Sequence, residues 1–369
     1  MDILKNGIPL KPKPKIDIQK IQRAIAADGA HLGICPAFST IRSQFDIHAF
    51  DTLPSTNTHL WSLLKAGAHA GTVVVATQQT AGRGQRQRQW ISETGGLYLS
   101  LALEPNWPVS QSALLTCLSA WGIATAFNNI GIPVEIKWPN DLFYKGKKLG
   151  GILTETKLSQ ISSTGAGSPS TLDNEGSKVL IRQAVIGVGI NWHNSPPDNG
   201  INLAKILEAE VTQGKVDKNK INCLEVLIAL VLRGIMQGYL FQQQVSGQDF
   251  MKAYQKLLTQ VGRSVSLGTD GLLSLAAPVP CHSSNQYSLN KGPLNKGALN
   301  KGSLNKGESW RNRSGEIIGV SERGYLQVAM HNQLPPSGSQ SSDSQPFAPH
   351  ASRSTTNILL FKPSEIHIS

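Results

Sequence analysis

Apolar and polar positions divide the chain into a long mixed segment and a shorter segment of strands. From Phe45 to about Leu258, short apolar runs typical of strands alternate with stretches of helical periodicity. The predicted strands are 45–53, 72–77, 97–103, 134–138, 142–144, 147–156 and 184–190, and the predicted helices are 18–27, 55–65, 110–130, 221–243 and 248–258. Beyond Val261 the pattern predicts only strands, at 264–267, 316–321, 325–330 and 358–362. We therefore expect an α+β domain followed by a small β domain.

Three stretches of low complexity interrupt this pattern, and we predict them to be disordered insertions. They lie at about 158–180, 276–313 and 333–355. The predicted organisation is an arm at 1–44, a larger domain at 45–260 and a β domain at 261–369. The arm contains one clear helix, so a complete helix-turn-helix for DNA is not expected.

The charge of the chain is basic but is raised by one insertion. Lys and Arg number 35 against 24 Asp and Glu, a formal charge of +11, which favours an acidic partner. Four copies of Leu-Asn-Lys-Gly contribute four of these lysines, and +7 remains without them. The repeats could bind an anion, but we favour a tolerated slack loop.

Cysteine usage and hydropathy indicate the cellular compartment. The four cysteines are far apart and lack zinc-ligand spacing, so we predict reduced, mostly buried thiols and no metal site: Cys35, Cys117, Cys223, Cys281. No signal-peptide core and no run of eighteen apolar residues occurs, so we expect neither secretion nor membrane spanning. A cytoplasmic location is the expectation.

The stretch Q-Q-T-A-G-R-G-Q-R-Q-R-Q-W, from Gln78 to Trp90, is the clearest candidate for chemistry. It contains no acidic residue and combines three arginines with two glycines: Arg83, Arg86, Arg88, Gly82, Gly84. Guanidinium groups bind phosphate or carboxylate bidentately, and glycines allow positive φ and close backbone approach. We call this stretch the basic loop; from these residues alone, an anion-binding loop and a solvated surface loop remain equally open.

Other polar motifs have structural explanations of their own. Ser55 is a natural cap for the helix that follows it. The run K-W-P-N-D-L-F-Y-K-G-K-K-L-G-G-I-L places four polar residues around one predicted hairpin, although Pro-Asn-Asp is also ordinary turn chemistry: Lys137, Asn140, Asp141, Lys148. The G-V-G-I-N run at 187–191 and the basic loop both fail as dinucleotide fingerprints, and no Walker-type loop occurs.

Five motifs in one order nevertheless resemble the biotin protein ligases. They are S-T-N at 55–57, Q-x-x-G-R-G at 79–84, K-W-P-N-D at 137–141, K-L-x-G-I-L at 148–153 and G-x-G-I-N at 187–191. The resemblance covers about 45–260 and implies a catalytic domain similar to class II aminoacyl-tRNA synthetases, with a mixed sheet flanked by helices. It also implies a C-terminal SH3-like β-barrel, and a single-function ligase without a DNA-binding domain.

The resemblance implies that biotin and ATP form biotinyl-5′-AMP, from which biotin passes to a lysine of the biotin carboxyl carrier protein of acetyl-CoA carboxylase. Arg83 and Lys148 would be catalytic. The residues implied for biotin are Ser55, Thr56, Asn57, Gln79, Arg83, Gly84, Gln85, Lys148 and Gly151. Those implied for ATP and the adenylate are Arg83, Arg86, Arg88, Trp90, Lys137, Asn140, Asp141 and Asn191. Mg²⁺ would arrive with ATP and could touch Asp141, with no metal fixed by the protein alone.

Two positions depart from the family pattern. Gln85 stands where arginine is frequent and Gln87 where glycine is frequent, so retention of the adenylate would depend more on Arg83, Arg86 or Arg88. The alternatives left open are a lipoate or octanoate ligase of the same fold, a DNA-binding biotin-sensing repressor, and a binding protein without catalysis. A homodimer through a sheet edge is also left open; specific DNA binding is not expected.

Overall fold

The computed structural model describes residues 16–41, 43–161, 178–217, 219–267, 273–275, 314–330 and 357–362. The helices are α1 (Ile18–Ala26), α2 (Pro36–Ser39), α3 (Thr56–Lys65), α4 (Ser112–Asn129), α5 (Leu203–Thr212), α6 (Leu224–Gln244) and α7 (Gly247–Gln255). The strands are β1 (Asp46–Leu53), β2 (Thr72–Gln79), β3 (Leu97–Leu103), β4 (Trp107–Pro108), β5 (Glu135–Lys137), β6 (Asp141–Tyr144), β7 (Lys147–Ile161), β8 (Lys178–Ile190), β9 (Ser264–Leu267), β10 (Leu273–Leu275), β11 (Ser314–Val320), β12 (Leu326–Met330) and β13 (Asn357–Phe361). The chain divides into two compact units between Thr259 and Gln260, with Glu322–Gly324 grouped in the first.

The first unit is built on a mixed sheet in the order β1-β2-β3-β8-β7-β6-β5, with β4 paired to β8. Strands β1 and β2 are parallel, and the other pairs are antiparallel. Helix α3 packs on one face, where its Leu60 and Leu64 join Val74 of β2 and Val185 of β8. The predicted α+β class, with a mixed sheet flanked by helices, is confirmed.

Helices α4 and α6 cross closely through glycines. A Cβ at Gly122 would lie 2.0 Å from the carbonyl oxygen of Gly234, and one at Gly238 would lie 2.1 Å from that of Leu118. The hydroxyl of Thr116 on α4 lies 2.8 Å from that of Thr154 on β7. Side chains alternate between the faces of a strand, so the neighbours of Thr154 on β7 face away from α4.

Helix α6 is the one helix of the described chain that is long and apolar enough to cross a membrane by length and composition. In this structure 61% of its apolar window is buried. It packs on α4 and α1 within the first unit. These contacts are those of a core helix.

The N-terminal arm is fastened to α6 by one buried side chain. The guanidinium group of Arg233, which is 5% exposed, donates hydrogen bonds to five backbone carbonyls of the arm, those of Ile25, Ala27, Phe38, Ser39 and Ile41. The arm also contains a 3₁₀ turn at Gly29–Leu32 and the short α2, which the sequence pattern did not predict.

Several sequence predictions need correction. Strand β7 continues to Ile161 and β8 begins at Lys178, so both ends of the insertion predicted at 158–180 are strand. The remainder of that insertion and the insertions predicted at 276–313 and 333–355 lie outside the described residues. Helix α5 was not predicted. Cys117 is buried, but Cys35 and Cys223 are only half-buried; these three thiols are free, and Cys281 is not among the described residues.

The second unit contains one antiparallel sheet in the order β10-β9-β11-β12-β13. Its strands alternate buried and exposed positions, and the buried side chains include Val265, Ile317, Val328 and Phe361. This is the small β segment that the sequence predicts after Val261. Whether the sheet closes as an SH3-like barrel stays a prediction.

We expect Arg233→Met to lower the free energy of unfolding of the first unit by about 3 kcal/mol, because several buried carbonyls lose their donor. Urea unfolding measures this change. Arg182→Met, on an exposed position of β8, is the matched control and should change stability by less than about 0.5 kcal/mol. Equal effects of the two substitutions would contradict the fastening role of Arg233.

Glu210 on α5 should make stability depend on acid pH. Its buried carboxylate accepts a hydrogen bond from the Tyr144 hydroxyl and lies 3.1 Å from Lys145 Nζ. The Tyr144 hydrogen bond, together with Lys145 and Lys215, lowers the pKa of Glu210. A carboxyl group with a lowered pKa stabilises the fold above its unfolded pKa and loses this contribution as pH falls through the folded pKa.

The free energy of unfolding should therefore be higher for wild type than for Glu210→Gln at pH 7. This difference should shrink below about pH 4.3, which is the ordinary pKa of a glutamate. Urea titrations at several pH values measure it. Glu208→Gln, exposed on the same helix, is the control. A difference that stays constant between pH 7 and pH 3 would argue against a lowered pKa.

Candidate active site

The candidate site lies on the sheet face that carries α3, where β7 and β8 present glycines. Gly151 pairs with Gly189, and Leu153 pairs with Gly187. A Cβ at Gly189 would lie 2.5 Å from Nε1 of Trp90, and one at Gly187 would lie 2.2 Å from Oδ1 of Asn57. The glycines of the G-V-G-I-N run therefore make room for two side chains of the predicted site.

Buried and half-buried polar side chains form a cluster, which we call the polar pocket, at the first turn of α3. Its members are Ser55, Thr56, Asn57, Gln79, Ser92 and Ser100. Ser55 caps this helix, with its Oγ 3.5 Å from the Thr58 nitrogen. The Thr56 backbone nitrogen donates to Oε1 of Gln79 over 2.8 Å, and Nε2 of Gln79 donates to Ser92 Oγ over 2.8 Å. S-T-N and Q-x-x-G-R-G thus meet, although more than twenty residues separate them in sequence.

Hydrogen-bonding capacity fixes the orientation of the Asn57 side chain. Its Nδ2 donates to Oε2 of Glu155 over 2.9 Å, because a carboxylate can only accept. Its Oδ1 consequently faces Ser100, whose hydroxyl lies 2.6 Å away and also lies 2.8 Å from the Thr56 hydroxyl. The pocket therefore has a defined order of donors and acceptors, as recognition of a small polar ring requires.

Arg83 is paired with Glu155. Its NH2 lies 2.6 Å from Oε1 of Glu155, and its NH1 lies 3.4 Å from Oε2. The Arg83 side chain is 48% exposed, which leaves it open to a ligand, whereas Glu155 is 23% exposed. A guanidinium group has five N–H donors in a planar fork, so this pairing does not exhaust its capacity to bind an anion.

Lys148, Asp141 and Trp90 form a second charged cluster. Nζ of Lys148 lies 2.7 Å from Oδ1 of Asp141 and 5.2 Å from the centroid of the Trp90 ring. The Trp90 Nε1 atom is buried and has no hydrogen-bond partner within the described residues. A Cβ at Gly151 would touch all three residues at 3.2 to 3.6 Å, so this predicted biotin-site glycine lies at the centre of the cluster.

The left-handed backbone of the basic loop lies at Arg86 and Gln87, whose φ angles are 56° and 61°, and not at its glycines. Gly82 allows the backbone of Trp90 to approach closely, because a Cβ at Gly82 would lie 2.3 Å from the carbonyl oxygen of Trp90. Neither Gly82 nor Gly84 has positive φ. Within the loop, the backbone nitrogen of Gly84 donates a hydrogen bond to the carbonyl oxygen of Arg88 over 2.7 Å.

The loop encloses a concavity of about 580 Å³ lined by three arginines and Leu153 of β7. Partial burial and the neighbouring charge of Arg88 lower the pKa of Arg86. Gln85 also lies in this loop, where its carbonyl accepts from the Arg88 nitrogen at 3.2 Å. The concavity thus concentrates positive charge beside the polar pocket.

The remaining predicted residues occupy structural positions near the site. Asn140 donates from Nδ2 to the Ile152 oxygen of β7 over 2.8 Å. Lys137 pairs with Asp141 in the β5–β6 register, with its ammonium 5.8 Å from the ring centroid of Phe143. Asn191 is buried, and its amide bonds to the Ile201 oxygen and to Asn194. The predicted contacts of these side chains with the adenylate stay predictions.

Three polar residues of the site were not predicted: Ser92, Ser100 and Glu155. Ser100 stands within the apolar strand L-Y-L-S-L-A-L, whereas Glu155 has polar neighbours in T-E-T-K. A lone polar side chain on a buried strand needs a partner, and this signal could have found Ser100.

The described residues contain no cluster of three or more His, Cys, Asp or Glu that could hold a metal ion. Two cations of the site, Arg83 and Lys148, are each held by a carboxylate and give the site the capacity to bind an anionic ligand. It can also bind a polar ring in the pocket and a flat group against Trp90.

The segment that contains most of this site is similar to known proteins. Residues 49–166 match the Biotin/lipoate A/B protein ligase family. The Bifunctional ligase/repressor BirA of Bacillus subtilis is 37% identical over 150 residues, 40% of this chain and 41% of that protein. BirA of Escherichia coli is 28% identical over 235 residues, 62% and 64% of the two chains. The Biotin--[acetyl-CoA-carboxylase] ligase of Paracoccus denitrificans is 30% identical over 136 residues, which are 36% of this chain and 49% of that protein.

These matches span less than two thirds of each relative's length. Among solved structures, the biotin protein ligase from Aquifex aeolicus in complex with biotin and ATP is 22% identical, with 77% of this chain and 91% of that chain covered and a TM-score of 0.47. The matched segment contains α3, the basic loop, Lys148 and Glu155. Residues 49–166 therefore match the biotin/lipoate A/B protein ligase family, and the chain is similar to biotin protein ligases over part of its length.

Proposed function

We propose that this protein is a biotin protein ligase, which forms biotinyl-5′-AMP from biotin and ATP and then transfers biotin to a lysine of a biotin carboxyl carrier domain. One observation carries the proposal: Asn57 lies against Gly187 and Trp90 against Gly189, two residues further along β8. Alternate residues of a strand are about 7 Å apart on one face. At this spacing, one adenylate could place its biotin ring near Asn57 and its nucleotide against Trp90.

The polar pocket would bind the ureido ring of biotin. A cyclic urea offers one acceptor and two donors, and the buried groups around Thr56, Gln79, Ser92 and Ser100 supply both kinds of partner. A ligand that lacks these groups would leave buried polar atoms unpaired, and this penalty would give selectivity for biotin over plain fatty acids.

The two cations would stabilise the charge of adenylate formation. The carboxylate of biotin attacks the α-phosphorus of ATP, the bond to the β-phosphate oxygen breaks, and pyrophosphate leaves. Negative charge increases at the phosphoryl group in this step, and Lys148 and Arg83 would stabilise it electrostatically. Trp90 would pack on the adenine, with its unpartnered Nε1 available to an acceptor atom. Mg²⁺ would accompany ATP, and Asp141 is the carboxylate that supports a contact with it.

In the second step the amine of the acceptor lysine attacks the acyl carbon of the mixed anhydride. An amide bond forms, AMP leaves and the amine loses a proton. The Paracoccus relative is named as a biotin ligase of acetyl-CoA carboxylase, which supports the carrier domain of that enzyme as the acceptor. We also propose an SH3-like barrel for the second unit, a class II synthetase-like first unit and a cytoplasmic location.

The family that matches also includes lipoate ligases, so the acid must be tested directly. We expect pyrophosphate release from ATP and Mg²⁺ with biotin, and a mass increase of an added carrier domain. Lys148→Ala should lower the rate about 10²–10³-fold, as for loss of one preorganised charge. Release with octanoate or lipoate in place of biotin would select the lipoate-type alternative, and absence of release with all three acids would refute a ligase.

Gly189→Ala tests the role of the surface beneath Trp90. The added methyl would displace the indole, so we expect the KM for ATP to rise about five-fold while the KM for biotin changes little, because aromatic stacking contributes about 1 kcal/mol. Initial rates of pyrophosphate release measure both constants. Gly247→Ala, whose Cβ would meet nothing closer than 3.4 Å, is the control and should leave both unchanged. Parallel loss of biotin and ATP affinity would contradict a nucleotide-specific role.

A further inference from the structure

Glu155 occupies a central position that none of the sequence motifs includes. Its carboxylate accepts hydrogen bonds from Nδ2 of Asn57 over 2.9 Å and from Nε1 of Trp61 over 3.3 Å. Both donors belong to α3, and Glu155 itself lies on β7. The carboxylate is therefore fixed between a helix and the central sheet before any ligand binds.

Arg83 of the basic loop contacts this fixed carboxylate. Its NH2 lies 2.6 Å and its NH1 3.4 Å from the two oxygens of Glu155, and NH1 lies 3.5 Å from the Thr58 hydroxyl. The loop around Arg83 contains two consecutive residues with positive φ, Arg86 and Gln87. Such backbone persists only where surrounding contacts hold it.

The two partners differ in exposure and in support. The Arg83 side chain is 48% exposed and extends from a loop, whereas Glu155 is 23% exposed and is held by α3. A charge-assisted hydrogen bond to a fixed carboxylate orients the guanidinium group. Glu155 lies in the middle of β7, and Lys148 at the start of that strand has its own carboxylate, Asp141.

We propose that Glu155 is a positioning residue, which docks Arg83 onto α3 and so holds the basic loop in place for the acid and ATP. Glu155 acts through Arg83 and does not itself touch the reacting atoms. The kinetic part of this inference rests on the proposed function. The docking of Arg83 in the ligand-free protein is independent of the proposed function.

Hydrogen exchange of the ligand-free protein tests the docking. In Glu155→Gln we expect exchange of amides at 82–90 to accelerate about ten-fold, because the loop opens more often without the ion pair. Arg83→Gln should give the same increase, since it removes the other partner. The control Asp46→Asn removes a carboxylate from the exposed Asp46–His48 pair on β1 and should leave the loop unchanged. Unchanged exchange in both Glu155→Gln and Arg83→Gln would overturn the proposal.

A double-mutant cycle on pyrophosphate release tests whether Glu155 acts through Arg83. We expect Glu155→Gln to lower kcat/KM for biotin about ten-fold in the wild-type background and less than two-fold in the Arg83→Gln background. Equal losses in the two backgrounds would show that Glu155 acts independently of Arg83 and would overturn the positioning role. Asp46→Asn should retain the wild-type rate.

The two experiments separate this inference from the proposed function. If wild type releases no pyrophosphate with any acid, the ligase proposal fails, and the exchange experiment still decides whether Glu155 holds the basic loop. If wild type is active but Glu155→Gln changes neither exchange nor kcat/KM, the positioning role fails and the ligase proposal stands.

Discussion

The antiparallel pairing of β7 with β8 supports both halves of the candidate site. Its register places Gly151 opposite Gly189 and Leu153 opposite Gly187, so one face of the pair is nearly free of side chains where Trp90 and Asn57 pack. A shift of one residue would turn the opposite face to the site. Glycine weakens a strand by roughly 0.5–1 kcal/mol, and the long ladder from Gly150 to Ile161 offsets this cost.

The two cations that we propose to be catalytic each have a carboxylate partner. Glu155 holds Arg83 and Asp141 holds Lys148, at 2.6 and 2.7 Å. Because these partners lie on the central sheet, the charges are oriented before a ligand arrives, which is the condition for electrostatic stabilisation without reorganisation. Both pairs are partly exposed, so water screens them and an anionic ligand can compete for the cations.

The sequence by itself determined most of the elements and most of the residue types in the candidate site. Apolar periodicity is a local property, so it located most strands and helices of the first unit, including α4 and α6, but it missed α2 and α5. Capping is equally local, and Ser55 caps α3 as its position predicts. The order of the five motifs indicated the family that the match of residues 49–166 supports.

Only the tertiary structure decided which of these residues meet. Glu155 gains its role from donors on α3 nearly a hundred positions earlier, and Arg233 from carbonyls about two hundred positions earlier. The glycines of β8 are explained by Trp90 and Asn57, and the left-handed residues of the basic loop are Arg86 and Gln87 rather than its glycines. Such features depend on register and on contacts across the fold, and no local pattern of residues encodes them.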